Sequence, residues 1–430
     1  MQFDKLEIIK PILDALKEKK YTEATPIQAK AIPLILKKHD VIGSAQTGTG
    51  KTAAFAIPII QHIQEMEQGK KNRREIKALI ITPTRELAIQ IDENIKAYSK
   101  YTLVRHAVIF GGVPQSKQVA QLKNGVHILV ATPGRLLDLI DQRIVNLREL
   151  KIFVLDEADR MLDMGFIHDV KRILNIIPNN RQSLFFSATM PKSIVTLSKT
   201  ILRNPKKVEV SPVSSTAETV KQYLYYTNKK TKKDLLFHIL ENKEIKQVLL
   251  FSRTKHGADK IAKNLKKQKI NAAAIHGDKA QNQRQKALTQ FKAGEIRVLV
   301  ATDIAARGID IDKLKYVINY DIPNEAETYV HRIGRSGRAG ESGNAISICE
   351  PEENAYIKDI EKLINQKINI VNDNPFPQTD KPMSNQEKKE VEKEKQKRKQ
   401  EFFANKKKKE QNVASGKFSK QKGKKTNRKR

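Results

Sequence analysis

Residues 152–159 read IFVLDEAD, four apolar residues running directly into three acids set around one alanine. An apolar run of that length closed by charge predicts a strand buried on both faces, with its carboxyl end at a polar edge. Three more stretches in the first half have the same form: ALIITPT at 78–84, HILVATPG at 127–134 and SLFFSAT at 183–189. Between them lie amphipathic segments such as RELAIQIDENIKAY at 85–98. Buried strands alternating with amphipathic helices predict an α/β domain with a doubly wound parallel sheet. The pattern repeats after residue 217 in QVLLFSRT, INAAAIHG, RVLVATD and YVINYDIP, with spacers such as HGADKIAKNLKKQ. Two α/β domains in tandem are therefore expected, at 1–205 and 218–371, joined by a connector at 206–217 with its proline and small polar residues. Ligands of such sheets sit at the carboxyl ends of the strands, where most of the motifs below fall.

Length and charge bound the function. The 430 residues suit two domains plus extensions. No stretch of 18 apolar residues is present, so no membrane span is expected. The charged opening segment has no secretory-signal pattern. Cys349 is the one cysteine, which excludes an internal disulfide and fits a reducing, cytoplasmic setting. The net charge is +33. Residues 381–430 hold 20 Lys+Arg against 6 Asp+Glu, a net of +14, which leaves +19 for the rest. Polyanions, nucleic acid first, are the expected partners; a solubilising tail or an anionic membrane surface is the alternative. From residue 372 the chain turns to breakers and then to a lysine-rich tail, which composition predicts to be disordered.

Residues 45–52 read AQTGTGKT after the apolar VIGS. A strand, a Gly-rich loop (Ala45, Gln46, Thr47, Gly48, Thr49, Gly50) and a helix beginning near Lys51 would aim backbone N–H groups at phosphates. Lys51 would reach the β and γ phosphates and the Thr52 hydroxyl would take a Mg²⁺ position. Ala45 stands where the usual pattern has Gly. About 100 residues on, Asp156 would hold Mg²⁺, and Glu157 would orient and deprotonate the attacking water. Either motif alone has a plain alternative, a glycine-rich turn or an acidic helix start; together they point to nucleotide hydrolysis.

At this point the chain resembles the DEAD-box RNA helicases, from Phe3 to about residue 368, with a dozen motifs in order. The resemblance implies two tandem RecA-like domains, ATP and Mg²⁺ as cofactors, and RNA as partner. TPIQ at 25–28 resembles the adenine-reading motif, with Thr25 and Gln28 at the base and Phe3 and Tyr21 as neighbouring aromatics. Lys20 and Ala24 stand where the family often has Gly and Pro. The same four residues also read as a helix start, with Thr25 as cap and Pro26 first in the helix. Ser187, Ala188 and Thr189 resemble the motif that couples the nucleotide and RNA sites, with Ser187 and Thr189 bonding the DEAD acids, Asp159 among them.

In HRIGRSGR at 331–338, Arg335 and Arg338 are implied as fingers on the γ-phosphate, and His331 and Arg332 as ties to the acids across the cleft. Asp310 resembles the ribose contact. RNA contacts are implied at Pro83, Thr84, Arg85, Gly111, Gly112, Thr132, Pro133, Gly134 and Arg135 in the first half. In the second they are implied at Ser252, Arg253, Gln281, Arg284, Thr302 and Asp303. These types suit sequence-independent binding to the nucleic-acid backbone. Two stretches, RHAVIFGGV and DIPNEAETYVHRIGRSGRAGESGNAIS, look most like the bacterial RhlE-like group, which would suggest ribosomal precursors or RNA-degradation machinery as partners. A DNA translocase, a non-catalytic clamp, and a protein that binds only through its tail are the rival readings.

Overall fold

The computed structural model describes residues 1–45, 48–68, 75–210, 220–306, 311, 314–336, 343–382, 387 and 401. Two seven-stranded sheets, every pairing parallel, organise the chain. The first is built from β1 (Val41–Ser44), β2 (Ala78–Ile81), β3 (His106–Ile109), β4 (Ile128–Ala131), β5 (Ile152–Leu155), β6 (Gln182–Ser187) and β7 (Lys206–Glu209). Its spatial order is β3-β4-β2-β5-β6-β1-β7. Around it lie α1 (Lys10–Glu18), α2 (Pro26–Leu36), α3 (Lys51–Glu67), α4 (Arg85–Tyr98), α5 (Ser116–Lys123), α6 (Pro133–Asp141), α7 (Ala158–Asp163), α8 (Ile167–Ile176) and α9 (Lys192–Ile201). The second sheet contains β8 (Val220–Tyr226), β9 (Val248–Phe251), β10 (Ala272–Ile275), β11 (Val298–Ala301), β12 (Tyr316–Asn319), β13 (Gly343–Cys349) and β14 (Asn369–Ile370). Its order is β10-β11-β9-β12-β13-β8-β14, the same winding shifted by seven strands. Its helices are α10 (Lys232–Glu241), α11 (Lys255–Lys267), α12 (Gln281–Lys292), α13 (Asp303–Ala306), α14 (Ala326–Ile333) and α15 (Asn354–Ile364).

The continuous apolar runs follow from burial on two faces. In β5, Ile152 and Val154 enter one core while Phe153 and Leu155 enter the core on the other side of the sheet. In β9, Val248 and Leu250 divide from Leu249 and Phe251 in the same way. Each such side chain contributes about 1.5–3 kcal/mol by leaving water, so no position on these strands tolerates a charge.

Two boundaries differ from the sequence expectation. Residues 206–209, expected in the connector, form β7 and pair with β1. Only Val208 of β7 is buried, and an edge strand with one inward residue has no apolar run to announce it. Residues 211–217 of the expected connector lie outside the described residues. The second boundary is residue 372, expected to open the tail. Residues 374–380 instead lie along the second lobe: Phe376 packs on its core, Asn374 Nδ2 donates to the Tyr226 carbonyl at 2.8 Å, and Thr227 Oγ1 donates to the Phe376 carbonyl at 2.7 Å. Among the described residues no helix is long and apolar enough to cross a membrane.

Candidate active site and nucleic-acid interface

The phosphate loop leaves β1 at Ala45 and ends where α3 begins at Lys51. Gly48 and Gly50 have φ of 82° and 94°, a left-handed backbone that glycine adopts without strain. At Gly50 a Cβ would also lie 2.3 Å from Gln28 Nε2, so the loop needs glycine there twice over. Lys51 is buried, and its ammonium donates to the Ala45 carbonyl at 2.7 Å, holding the loop as a closed ring. Gln46 and Thr47 lie outside the described residues. Thr52 follows Lys51 in the first turn of α3.

The TPIQ segment packs directly against this loop. Thr25 is the N-cap of α2, with Pro26 as its first residue. Gln28 Oε1 accepts from the Thr25 N–H at 2.9 Å, and Gln28 Nε2 donates to the Gly50 carbonyl at 3.1 Å. The helix-start reading therefore holds, and both ends of the amide are engaged with protein groups. Phe3 is buried and stacks on the more exposed Tyr21, with ring centres 6.5 Å apart.

The DEAD acids turn the corner from β5 into α7. Glu157 has a φ of 52°, a strained conformation for a non-glycine residue, which swings the following helix across the end of the sheet. Asp156 and Glu157 are buried. Burial pushes the Asp156 carboxyl up to about 7, with Lys51 opposing. Asp159 faces the opposite balance. Burial would raise it, but Lys51, Arg160 and His331 outweigh burial and hold it below the usual carboxylate range. Asp159 Oδ2 accepts from the Thr189 N–H at 2.9 Å and from Thr189 Oγ1 at 3.0 Å, and the Asp159 N–H donates to Ser187 Oγ at 3.2 Å. The SAT residues thus bond a DEAD acid, with Ala188 as the link between them. Glu157 forms an ion pair with Arg160. Arg160 carries no motif role in the sequence, although its spacing of three from Glu157 on a helix is the signal that places the two together.

The second lobe meets these acids. Arg160 shares a small cavity with Phe251, Asp303, Thr328, His331, Arg332 and Arg335. His331 is among the cations that hold the Asp159 carboxyl down. Arg332 does not make that tie. Its Nε and Nη2 donate to the two Asp303 carboxylate oxygens at 2.6 and 2.8 Å, Nη1 donates to the Asp321 carbonyl at 2.6 Å, and its plane lies 5.0 Å from the Phe251 ring centre. A fully buried guanidinium needs a charge partner, and Asp303 supplies it within the same lobe. Asp303, expected on RNA, is thereby committed to Arg332. Arg335 is buried beside them. Arg338 and Asp310 lie outside the described residues.

The residues expected on nucleic acid line strand ends in both lobes, and several brace their own loops. Thr84 caps α4, its Oγ1 accepting from the Leu87 N–H at 3.3 Å, just after Pro83. Arg85 lies against Gly112, where a Cβ would sit 2.1 Å from Nη1, and Gly111 precedes it. Thr132 caps α6, with Pro133 and Gly134 in its first turn. Arg135 donates to the Val113 carbonyl at 3.1 Å and so holds the glycine loop. In the second lobe the Arg253 N–H and Ser252 Oγ donate to Asp321 at 2.8 and 3.1 Å, and Arg253 Nη2 donates to Glu353 at 2.6 Å. Thr302 opens α13. Gln281 and Arg284 reach across the cleft instead: Gln281 Nε2 donates to Glu86 at 2.8 Å, Arg284 pairs with Glu86 at 3.0 Å, and Arg85 donates to Gln281 at 3.4 Å. Glu86 lies inside the PTREL stretch at 83–87 but is not among the contacts expected there. It looks like an ordinary acid in a first helical turn, and only the folded chain brings two second-lobe side chains onto it.

Residues 25–197 match the DEAD/DEAH box helicase family and residues 231–340 the helicase conserved C-terminal domain. The chain is 43% identical over 363 residues to the ATP-dependent RNA helicase CshA of Limosilactobacillus reuteri, covering 84% of this chain and 72% of that one. It is 40% identical over 368 residues to the DEAD-box ATP-dependent RNA helicase RhpA of Helicobacter pylori, covering 86% and 73%. Among solved structures it is similar to S. cerevisiae Dbp5 bound to RNA and ADP BeF3, with a TM-score of 0.76 and 30% identity over 86% of this chain and 95% of that one. A glycine loop between β1 and α3, acids at the end of the central strand β5 and arginines facing them from a second lobe accompany these matches, and the chain belongs to the DEAD-box family of ATP-dependent RNA helicases.

Proposed function

We propose that the chain hydrolyses ATP between its lobes by the following division of labour, carried by one observation. The acids Asp156 and Asp159 lie buried near Lys51 in the first lobe, Glu157 pairs with Arg160, and His331 and Arg335 of the second lobe share a cavity with Arg160. Gln28, with Phe3 and Tyr21 beside it, would read the base, exchanging its present protein partners for the adenine edge. The glycine loop and Lys51 would hold the phosphates. Thr52 and Asp156 form an oxygen-only donor set that suits a hard cation and would hold Mg²⁺, which neutralises phosphate charge when bound. Glu157, released from Arg160, would take a proton from water as its oxygen attacks the γ-phosphorus and the bond to ADP breaks. Arg335, with Arg338, would stabilise the charge on the transferred group, a contribution worth ~10³–10⁵ in rate.

RNA would lie across Arg85, the two glycines and Arg135 in the first lobe and the Ser252–Arg253 loop in the second. Because Gln281 and Arg284 both touch Glu86, this track spans the lobes only when they are closed, and a strand bent along it would leave an A-form duplex. Closure by ATP and reopening on phosphate release form a population shift between two states. The basic tail would hold RNA near the core through salt-sensitive contacts. The charge, the single cysteine and the sequence resemblance support a cytoplasmic place and a role in ribosome assembly or RNA turnover. The RhlE-like subgroup rests on the RHAVIFGGV and DIPNEAETYVHRIGRSGR stretches, while the relatives named above carry the CshA and RhpA names.

The test is ATP hydrolysis without nucleic acid, with single-stranded RNA, and with DNA of the same sequence. Turnover stimulated by RNA alone, and abolished by Glu157→Gln, is expected. Equal stimulation by DNA would replace this reading with a DNA translocase.

A further inference from the structure

The two lobes share one winding order, so each strand end of the first has a counterpart in the second. The counterpart of the phosphate loop is the turn 227–231, TNKKT, between β8 and α10. The counterparts of Lys51 and Glu157 are Lys232, the first residue of α10, and Asp321, the second residue past β12. Over this place lies a cavity of about 490 Å³, with Lys229, Lys230, Arg253, Lys260, Phe237 and Tyr320 on its wall. Lys229, Lys230 and Lys260 are exposed and form no ion pair with any described residue.

The chemistry differs from that of the first lobe in a way that selects the occupant. The turn has no glycine, so it cannot fold a ring of N–H groups around a polyphosphate. Lys232 is buried and taken up by Glu353 at 2.9 Å and Asp321 at 3.4 Å, with Glu350 at 3.9 Å. Burial works against the Lys232 charge, but these three acids outweigh it and hold its pKa above the ordinary lysine value. A triphosphate pushed to the floor would meet those acids; a singly charged phosphodiester crossing the rim would meet only the free lysines. The rim is continuous with Ser252, Arg253 and Thr254, the loop assigned above to RNA. Thr254 caps α11, accepting from the Gly257 N–H at 3.0 Å, as Thr84 caps α4 in the first lobe. Phe237 and Tyr320 belong to the apolar part of the wall, with Lys233 Nζ 5.8 Å from the Phe237 ring centre and Lys232 Nζ 5.2 Å from that of Tyr320. A separate observation puts the basic tail at the same place. Asn228 donates to Thr379 Oγ1 at 2.7 Å and accepts from the Thr379 and Asp380 N–H groups at 3.0 and 2.9 Å, so the lysine-rich segment starts beside this rim.

We propose that this pocket is a subsite for the RNA strand where it leaves the two-lobe track past the Ser252–Thr254 loop, with Lys229, Lys230 and Lys260 on its phosphates. The proposal rests on the reading of that loop as an RNA contact. The experiment uses the full chain with a non-hydrolysable ATP analogue. Its probes are a short single-stranded RNA that fills only the track and longer RNAs extended at one end or at the other. In Lys229→Glu/Lys230→Glu/Lys260→Glu, the RNA extended at one particular end should bind no better than the short RNA. Binding of the short RNA and RNA-free ATP hydrolysis should stay unchanged. The milder Lys→Ala set at the same positions should lower the salt slope of log affinity by about 0.7 for each phosphate no longer neutralised, and it serves if the reversed charges impair folding. Unchanged binding of all RNAs would overturn the proposal, as would equal loss on short and long RNA. Loss of a second bound ATP, with RNA binding intact, would assign the pocket to free nucleotide and also overturn it. Arg253→Ala separates the two levels: no effect on the short RNA would sink the loop assignment itself, whatever the rim does.

Discussion

Lys51 and Lys232 each stand at the start of the helix that follows the first strand of their lobe, and each is buried. In the first lobe the lysine closes the glycine loop, and among the described residues its ammonium donates to a backbone carbonyl. In the second, three acids close over the lysine and tie four chain segments together. One architecture thus carries two solutions: charge kept available for a ligand, and charge committed to structure. The difference is made by what lies within hydrogen-bond reach of the lysine, the Ala45 carbonyl in one case, Glu353 and Asp321 in the other.

The sharpest way to break this comparison is through the arginine that faces the first lobe's acids. Arg335→Ala should lower RNA-stimulated turnover by ~10³–10⁵, about 4–7 kcal/mol of barrier, in steady-state assays, while the second lobe's RNA contacts are spared. A loss below tenfold would remove Arg335 from the phosphate. The second lobe should respond in stability instead. Glu353→Ala leaves Lys232 buried with a weakened set of partners and should cost about 3–5 kcal/mol in urea unfolding; a cost under 1 kcal/mol would mean that the cluster is not structural. Smaller still is the coupling link. Thr189→Val removes a hydroxyl from a charged acceptor, a loss of about 1.5–3 kcal/mol, and duplex separation should suffer more than ATP hydrolysis. An equal loss in both would show Thr189 serving the chemistry alone. The smallest effect is expected at the strap: Asn228→Ala should cost about 1 kcal/mol and speed proteolysis between residues 374 and 380, which limited digestion would read.

Much of this was visible in the residues. The strands were legible because burial on both sheet faces demands unbroken apolar runs, and IFVLDEAD could be nothing else once GKT stood upstream. The start of α3 at Lys51 and the cap at Thr25 followed from glycine and proline chemistry. What escaped had no local signature. Val208 alone marks β7, and Phe376 alone anchors a segment that composition assigns to the tail. The partner of Arg332 was misplaced for a related reason: the motif identifies an arginine that needs an acid, and Asp303 becomes that acid only through the crossing of β11 and α14 within one lobe.

Alternation of apolar runs with amphipathic helices, and the types of residue closing each strand, determined the fold class and the place of the glycine loop from the sequence alone, and the resemblance of a dozen ordered motifs supplied the helicase family. Periodicity and turn chemistry act over a few residues, so they can be read along the chain. Which charges remain available was decided only by tertiary structure. Glu86 meeting Gln281 and Arg284, and Lys232 surrendering to Glu353, are pairings across 195, 198 and 121 residues of chain. A charged side chain takes whichever partner the fold brings within hydrogen-bond reach, and sequence spacing holds no record of that distance.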